Sequence, residues 1–168
     1  MHTDFAERLD RVQALPLFTG LRREDLATAM GMMSWHVVAV GDTILRAGDQ
    51  SGDIFLIVGG QFDIIVGEGA RRLVVGKARP GDLVGETAIY HERVHRTATV
   101  VARSHGALVS FDTTVLDALA SQRSPVPQRI EERILRDLPA RIQTSFLLLD
   151  QVRREQEPEV AQIGRAHV

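Results

Sequence analysis

The 168 residues contain no cysteine, which excludes disulfides and thiolate metal sites. No apolar run approaches the roughly 18 residues of a membrane span. The opening MHTDFAERLD is too polar for a secretory signal. These absences predict a cytoplasmic chain that does not itself enter a membrane. An excess of one charge is also lacking. The net charge of −2 gives no electrostatic basis for non-specific nucleic-acid binding. Aromatics are scarce, and the single Trp35 is expected in the core. No Gly-x-Ser-x-Gly nucleophile elbow occurs. His91 and His95 stand four apart, a helical metal-ligand spacing, but no third ligand lies near them in sequence. They read as loop histidines. The His-x-His and carboxylate cluster of a metal cupin is missing as well. The expectation is a protein that is not an enzyme and holds no metal or cofactor.

What is present suits one domain with a proper core: 44% of residues are hydrophobic and 25% charged. Phe5, Leu9, Val12 and Leu15 recur at helical spacing until Pro16 stops them. A second short helix is expected over 22–32, with Thr19 as its cap. Residues 1–34 thus form an N-terminal helical segment. From Trp35 to Asp112 the pattern changes to short Val-, Ile- and Phe-rich runs punctuated by glycines. Many short strands with glycine turns suggest a sandwich or closed barrel over 35–112. Arg71-Arg72 falls at a hairpin end. Helices return at 113–155, the first capped by Thr113 or Thr114. After a break at Ser124-Pro125-Val126-Pro127, Ile130, Ile134, Leu138, Ile142 and Phe146 fall every four residues, followed by Leu149 and Val152. That is one apolar stripe on a helix. Pro139 interrupts it, and an interior proline kinks or divides a helix. Residues 156–168 are polar and unpatterned and read as a disordered tail.

The densest chemistry lies at 81–98, GDLVGETAIYHERVHRTA. Gly81-Asp82 forms a turn pair after Pro80. Gly85 lets a ligand approach the backbone. Glu86 to Tyr90 reads as about one helical turn, whose first N–H groups lack internal partners and favour an anion. Gly85, Thr87 and Ala88 are therefore candidate donors to a phosphate. An ionised carboxylate only accepts hydrogen bonds, so Glu86 suits a hydroxyl such as a ribose 2′-OH. Arg96 brings a permanent charge and a planar fork that fits phosphate oxygens. Thr97 adds a hydroxyl. The alternation from Arg96 to Val101 predicts that Arg96 sits on a strand.

This segment resembles the phosphate-binding cassette of the cyclic nucleotide-binding domain family, found in catabolite activators and protein-kinase regulatory subunits. The matching residues are Gly85-Glu86, Ala88 and Arg96-Thr97-Ala98. Upstream, Leu17 to Leu21, Gly41 to Leu45, Gly48-Asp49 and Asp53 to Phe62 resemble the family in order, so the likeness spans about residues 12–120. It implies an eight-stranded jelly-roll-like β-barrel, mainly β with flanking helices. The cassette would interrupt it between the sixth and seventh strands, and B/C-type helices would follow. By the same resemblance Arg96 pairs with a cyclic phosphate, Glu86 accepts from the ribose, and Val84 with Leu73-Val74-Val75 walls the base. The implied ligand is a cyclic nucleotide, cAMP first, with Thr97 leaving cGMP open. In the family the C-terminal helix folds over the base and transmits occupancy; a break at Pro139 would act as its hinge. The same helices offer a homodimer contact. Only 41 residues follow Pro127, so an added DNA-binding domain does not fit. The output domain or partner protein is expected outside the chain. Alternatives are the sensor part of a transcription regulator, channel or transporter, standing alone or truncated, or a degenerate barrel serving as a scaffold without ligand.

Overall fold

A computed structural model describes residues 4–89 and 95–138. The chain divides into two compact units, Met1–Arg133 and Ile134–Val168. In the second unit, residues 134–138 are helical. Tyr90, His91, Pro139 and the later stripe positions, Ile142, Phe146, Leu149 and Val152, lie outside the described residues, as does the polar tail.

In the first unit, α1 spans Phe5–Gln13 and buries Leu9 and Val12. A 3-10 turn at Pro16–Phe18 follows, with proline at its start, where a missing N–H costs nothing. Helix α2 spans Arg23–Gly31 and buries Leu26, Ala29 and Met30. Its cap position is Arg22, not Thr19. Thr19 stands three residues before that position and instead ends the preceding 3-10 turn, where its N–H bonds the Pro16 carbonyl.

Eight strands follow: β1 (Ser34–Val38), β2 (Thr43–Leu45), β3 (Ile54–Gly59), β4 (Phe62–Val66), β5 (Leu73–Ala78), β6 (Leu83–Val84), β7 (Thr99–Ala102) and β8 (Gly106–Phe111). They form two antiparallel four-stranded sheets, β1-β8-β3-β6 and β2-β7-β4-β5. This is a jelly roll, in which double sheets limit exposed strand edges. Alternation decides the faces. Val38, Ile57, Val84 and Leu108 of the first sheet meet Leu45, Phe62, Val100 and Ala102 of the second inside the barrel. On the outer face of the first sheet, Val109 and Phe111 meet Val12, Leu26, Met30 and Ile130 around a small apolar cleft. Fully burying side chains of this kind is worth about 1.5–3 kcal/mol each, so the helices are fixed to one sheet. Arg71 ends a 3-10 turn, Gly69–Arg71, between β4 and β5.

Trp35 is not a core residue. It is half-buried on the outer face of β1, with the guanidiniums of Arg8 and Arg11 against its ring. Helix α3 spans Thr113–Ser121, and its cap is Asp112 rather than either threonine. The Asp112 carboxylate accepts from the Val115 N–H at 3.0 Å and from the Thr114 hydroxyl at 2.5 Å. Asp, with an acceptor-only side chain, satisfies an orphan helix N–H at least as well as Thr. Ser124 accepts from the Val126 N–H at 3.3 Å, and residues 126–133 are helical with Pro127 in their first turn.

Candidate functional site

The site grows from a repeated turn. At Ala39 to Asp42, Arg46 to Asp49 and Arg79 to Asp82, the Asp N–H bonds the carbonyl three residues back. The glycine before each Asp has φ near +90°, the conformation a type II turn requires. In the first and third turns the Asp carboxylate also accepts the N–H of the residue opening the turn, both at 2.8 Å. The third turn is laced to β3, where the Gly81 N–H donates to the Ile57 carbonyl and the Ile57 N–H to the Asp82 carbonyl. It launches β6, which pairs with β3 through Leu83 with Leu56 and Val84 with Phe55.

The chain then reaches Gly85 at φ +79°. A Cβ there would stand 2.9 Å from the Asp53 carbonyl oxygen and 2.9 Å from Arg96 Nη1. Glycine is required twice, for its backbone angle and for the space. Glu86–Ile89 form a 3-10 helix, and the Ala88 N–H closes it on the Gly85 carbonyl at 3.2 Å. That N–H, expected as a phosphate donor, is thus spent within the turn. Glu86 and Ala88 are buried, and Thr87 is exposed.

Arg96 is brought directly to Gly85. Its side chain is buried, with the residue 6% exposed. Nη1 donates to the Gly85 carbonyl at 2.8 Å; Nη2 donates to the Asp53 carbonyl at 2.5 Å and to Ser51 Oγ at 3.0 Å. The buried Nε has no acceptor among the described residues. Burial pushes the guanidinium below its ordinary pKa, and the charge of Asp53 pushes it back up. It stays a cation, because arginine does not deprotonate in proteins.

Arg96 does not sit on a strand as the alternation predicts. Strand β7 begins three residues later, at Thr99. A loop fixes it instead. The Arg96 N–H bonds the Asp49 carbonyl at 2.9 Å, and the Gly48 N–H bonds the Arg96 carbonyl at 2.8 Å. His95 Nδ1 meets the Gly48 carbonyl at 2.9 Å. Residues 48–53 therefore hold Arg96 through backbone and side chain together. Sequence reading missed Ser51 and Asp53. Two of the three guanidinium acceptors are main-chain carbonyls, which carry no residue signature; the polar run Gly48 to Asp53 beside β3 was the available sign.

Val84 is buried in the barrel core next to Gly85. Val74 stands apart on edge strand β5 of the other sheet, half exposed, where it pairs with Ile65. Thr97 follows Arg96 and is exposed. A further residue enters from the C-terminal side: Arg133 Nη2 bonds the Asp82 carboxylate at 2.7 Å. The helical residues 126–133 are thereby tied to the turn that launches the cassette.

The chain belongs to the cyclic nucleotide-binding domain family, whose sequence model matches residues 35–123. A candidate potassium channel protein of Rhodopseudomonas palustris is 29% identical over 131 residues, 77% of this chain and 31% of that protein. The chain thus spans about a third of that relative's length. Among solved structures, a cyclic nucleotide-binding domain from Methylobacillus flagellatus superposes with TM-score 0.67 at 21% identity, covering 88% of this chain and 83% of that one. A cAMP-binding acyltransferase from Mycobacterium smegmatis, carrying a mutation, does so with TM-score 0.59 at 25% identity over 67% of this chain and 35% of that one. Among the described residues, no helix is long and apolar enough to cross a membrane.

Proposed function

We propose that this chain is a regulatory module that binds cAMP and passes its occupancy to the rest of a larger protein. The observation that carries the reading is Arg96: a buried guanidinium held by three neutral acceptors, with no carboxylate in ion-pair range among the described residues and Nε unpaired. A buried cation is costly unless it is paired, and a cyclic phosphate supplies the missing anion. Glu86, next to Gly85, is the acceptor for the ribose 2′-OH; the backbone N–H groups from Gly85 to Thr87 face the phosphate, Ala88 closes the turn behind them, and Thr97 lies beside it. Val84, beside Gly85, walls the base on the cassette side, and Val74, on the edge strand of the other sheet, would meet its far side. The acyltransferase relative favours cAMP as the first ligand to test, and cGMP is its competitor at the same site.

The coupling runs through Asp82. Ligand on the cassette bears on the turn before β6, and Arg133 carries that turn to the C-terminal helix. Binding can shift the helix only if the ligand prefers one of two states. The module binds and does not catalyse; chemistry or conduction belongs to the output region, and a homodimer through the C-terminal helices is part of the same proposal.

Calorimetric titration with cAMP and with cGMP tests this. Saturable binding is expected, and Arg96→Ala should weaken it by about 2–5 kcal/mol, the cost of truncating a buried charged contact. Equal affinity in the variant would sink the assignment. No binding by the unaltered chain would leave a scaffold reading in its place.

A further inference from the structure

We propose that the outer face around Trp35 is a docking surface for an acidic segment of a partner protein. Two guanidiniums lie against one ring. The Cζ atoms of Arg8 and Arg11 are each 5.4 Å from the Trp35 centroid. The two arginines are three residues apart on α1, so they share a side of the helix. Gly59 lets Arg11 lie there, because a Cβ at Gly59 would stand 2.5 Å from Arg11 Nη2.

The sheet register shows what surrounds the pair. Trp35, Val109 and Leu56 form one cross-strand row, and Val37, Ala107 and Gly59 form the next on the same outer face. The helices cover Val109 and Leu56 of the first row. The second row ends at Val37, which is 71% exposed. An aromatic ring, two cations and an open aliphatic side chain thus occupy one patch. Trp and Arg are the residues most often found at the energetic centres of protein interfaces.

Charge selects the occupant. Arg22, Arg23, Arg103 and Arg133 each meet an aspartate. Among the described residues, Arg8 and Arg11 have no carboxylate within ion-pair range. Asp4 and Glu7 precede them by four positions, the helical spacing for an ion pair, yet both guanidiniums turn to the ring. Among the described residues, two further donors, Arg8 Nε and Trp35 Nε1, are buried without an acceptor. Two like charges at one ring repel each other, and carboxylates match the guanidinium fork. An acidic segment with aliphatic side chains would neutralise the arginines and cover Val37.

The chain's single tryptophan reports on its own site. Trp35 emission would be followed at fixed ionic strength while a synthetic peptide of alternating glutamate and leucine is added. The controls are its glutamine counterpart and inorganic phosphate. Saturable change with the glutamate peptide is expected. It should weaken at least about ten-fold with the glutamine peptide and in the Arg8→Gln/Arg11→Gln double variant. Because the double variant loses the stack on Trp35, Val37→Glu is the second variant. It leaves the stack in place, should keep the melting temperature, and should repel the acidic peptide. No emission change, an equal response to the glutamine peptide, reproduction of the response by phosphate, or undiminished binding to Val37→Glu would each overturn the proposal.

Discussion

Strand β7 has an arginine beyond each end, and the two are held in opposite ways. Arg103 lies in solvent, with 65% of its side chain exposed, and meets the buried Asp63 carboxylate at 3.0 Å. Arg96 is itself buried and is held by carbonyls of Gly85 and Asp53 and by the Ser51 hydroxyl. At one end the protein neutralises a buried acid with an exposed base. At the other it buries a base among neutral acceptors. The first arrangement answers a structural need, since a buried carboxylate without a partner is costly. The second gives a buried cation neutral acceptors and the more distant charge of Asp53, and the proposed anion site rests on that arrangement.

Breaking the Arg96 end at its support should have the largest effect. Gly85→Ala forces an L residue into positive φ and puts a methyl 2.9 Å from the Asp53 carbonyl. We expect a loss of about 2–3 kcal/mol in stability, read by thermal or denaturant unfolding, and a weaker cyclic-nucleotide affinity. Undisturbed affinity would separate Gly85 from the site. Arg103→Gln should cost about 1–2 kcal/mol of stability through the orphaned Asp63 and leave ligand affinity unchanged, which calorimetry checks. Affinity falling with Arg103 would erase the contrast between the two ends.

The smallest effect is expected at a helix cap, Asp112, which touches neither arginine. Asp112→Ala removes the α3 cap and should cost about 1 kcal/mol without touching binding. Hydrogen bonds from the Thr114 hydroxyl and the Val115 N–H hold the Asp112 carboxyl below its usual range. A depressed folded-state pKa gives stability that is present above the unfolded value of about 3.9 and lost as pH falls through the lower folded one. Melting temperatures of the two proteins should therefore converge below about pH 4. A constant gap down to pH 2 would contradict the capping role.

The Arg96 end of this comparison was visible in the sequence only in part. That Arg96 belongs with Gly85 was legible because a short ordered pattern holds both; the glycine-punctuated β runs pointed to a sandwich or closed barrel, and the resemblance to the family placed the interruption between the sixth and seventh strands. The clamp on Arg96 was not legible, since carbonyls of Asp53 and Asp49 look like any others in sequence. The strand expected under Arg96 came from an alternation that tertiary contacts with residues 48–53 overrode. Caps were misread where several polar residues adjoin: Asp112 outcompeted Thr113 and Thr114, and Thr19 ends the preceding turn instead. Trp35 was taken for core because large aromatics usually bury, but α1 brings arginines to its ring instead.

The most direct test is paired calorimetry with cAMP on Arg96→Gln and Arg103→Gln, each compared with the unaltered chain. Weakening by about 2 kcal/mol or more for Arg96→Gln, with Arg103→Gln binding as tightly as the unaltered chain, is the predicted result. Equal affinities in all three proteins would contradict the claim that Arg96 is buried to hold a ligand's anion.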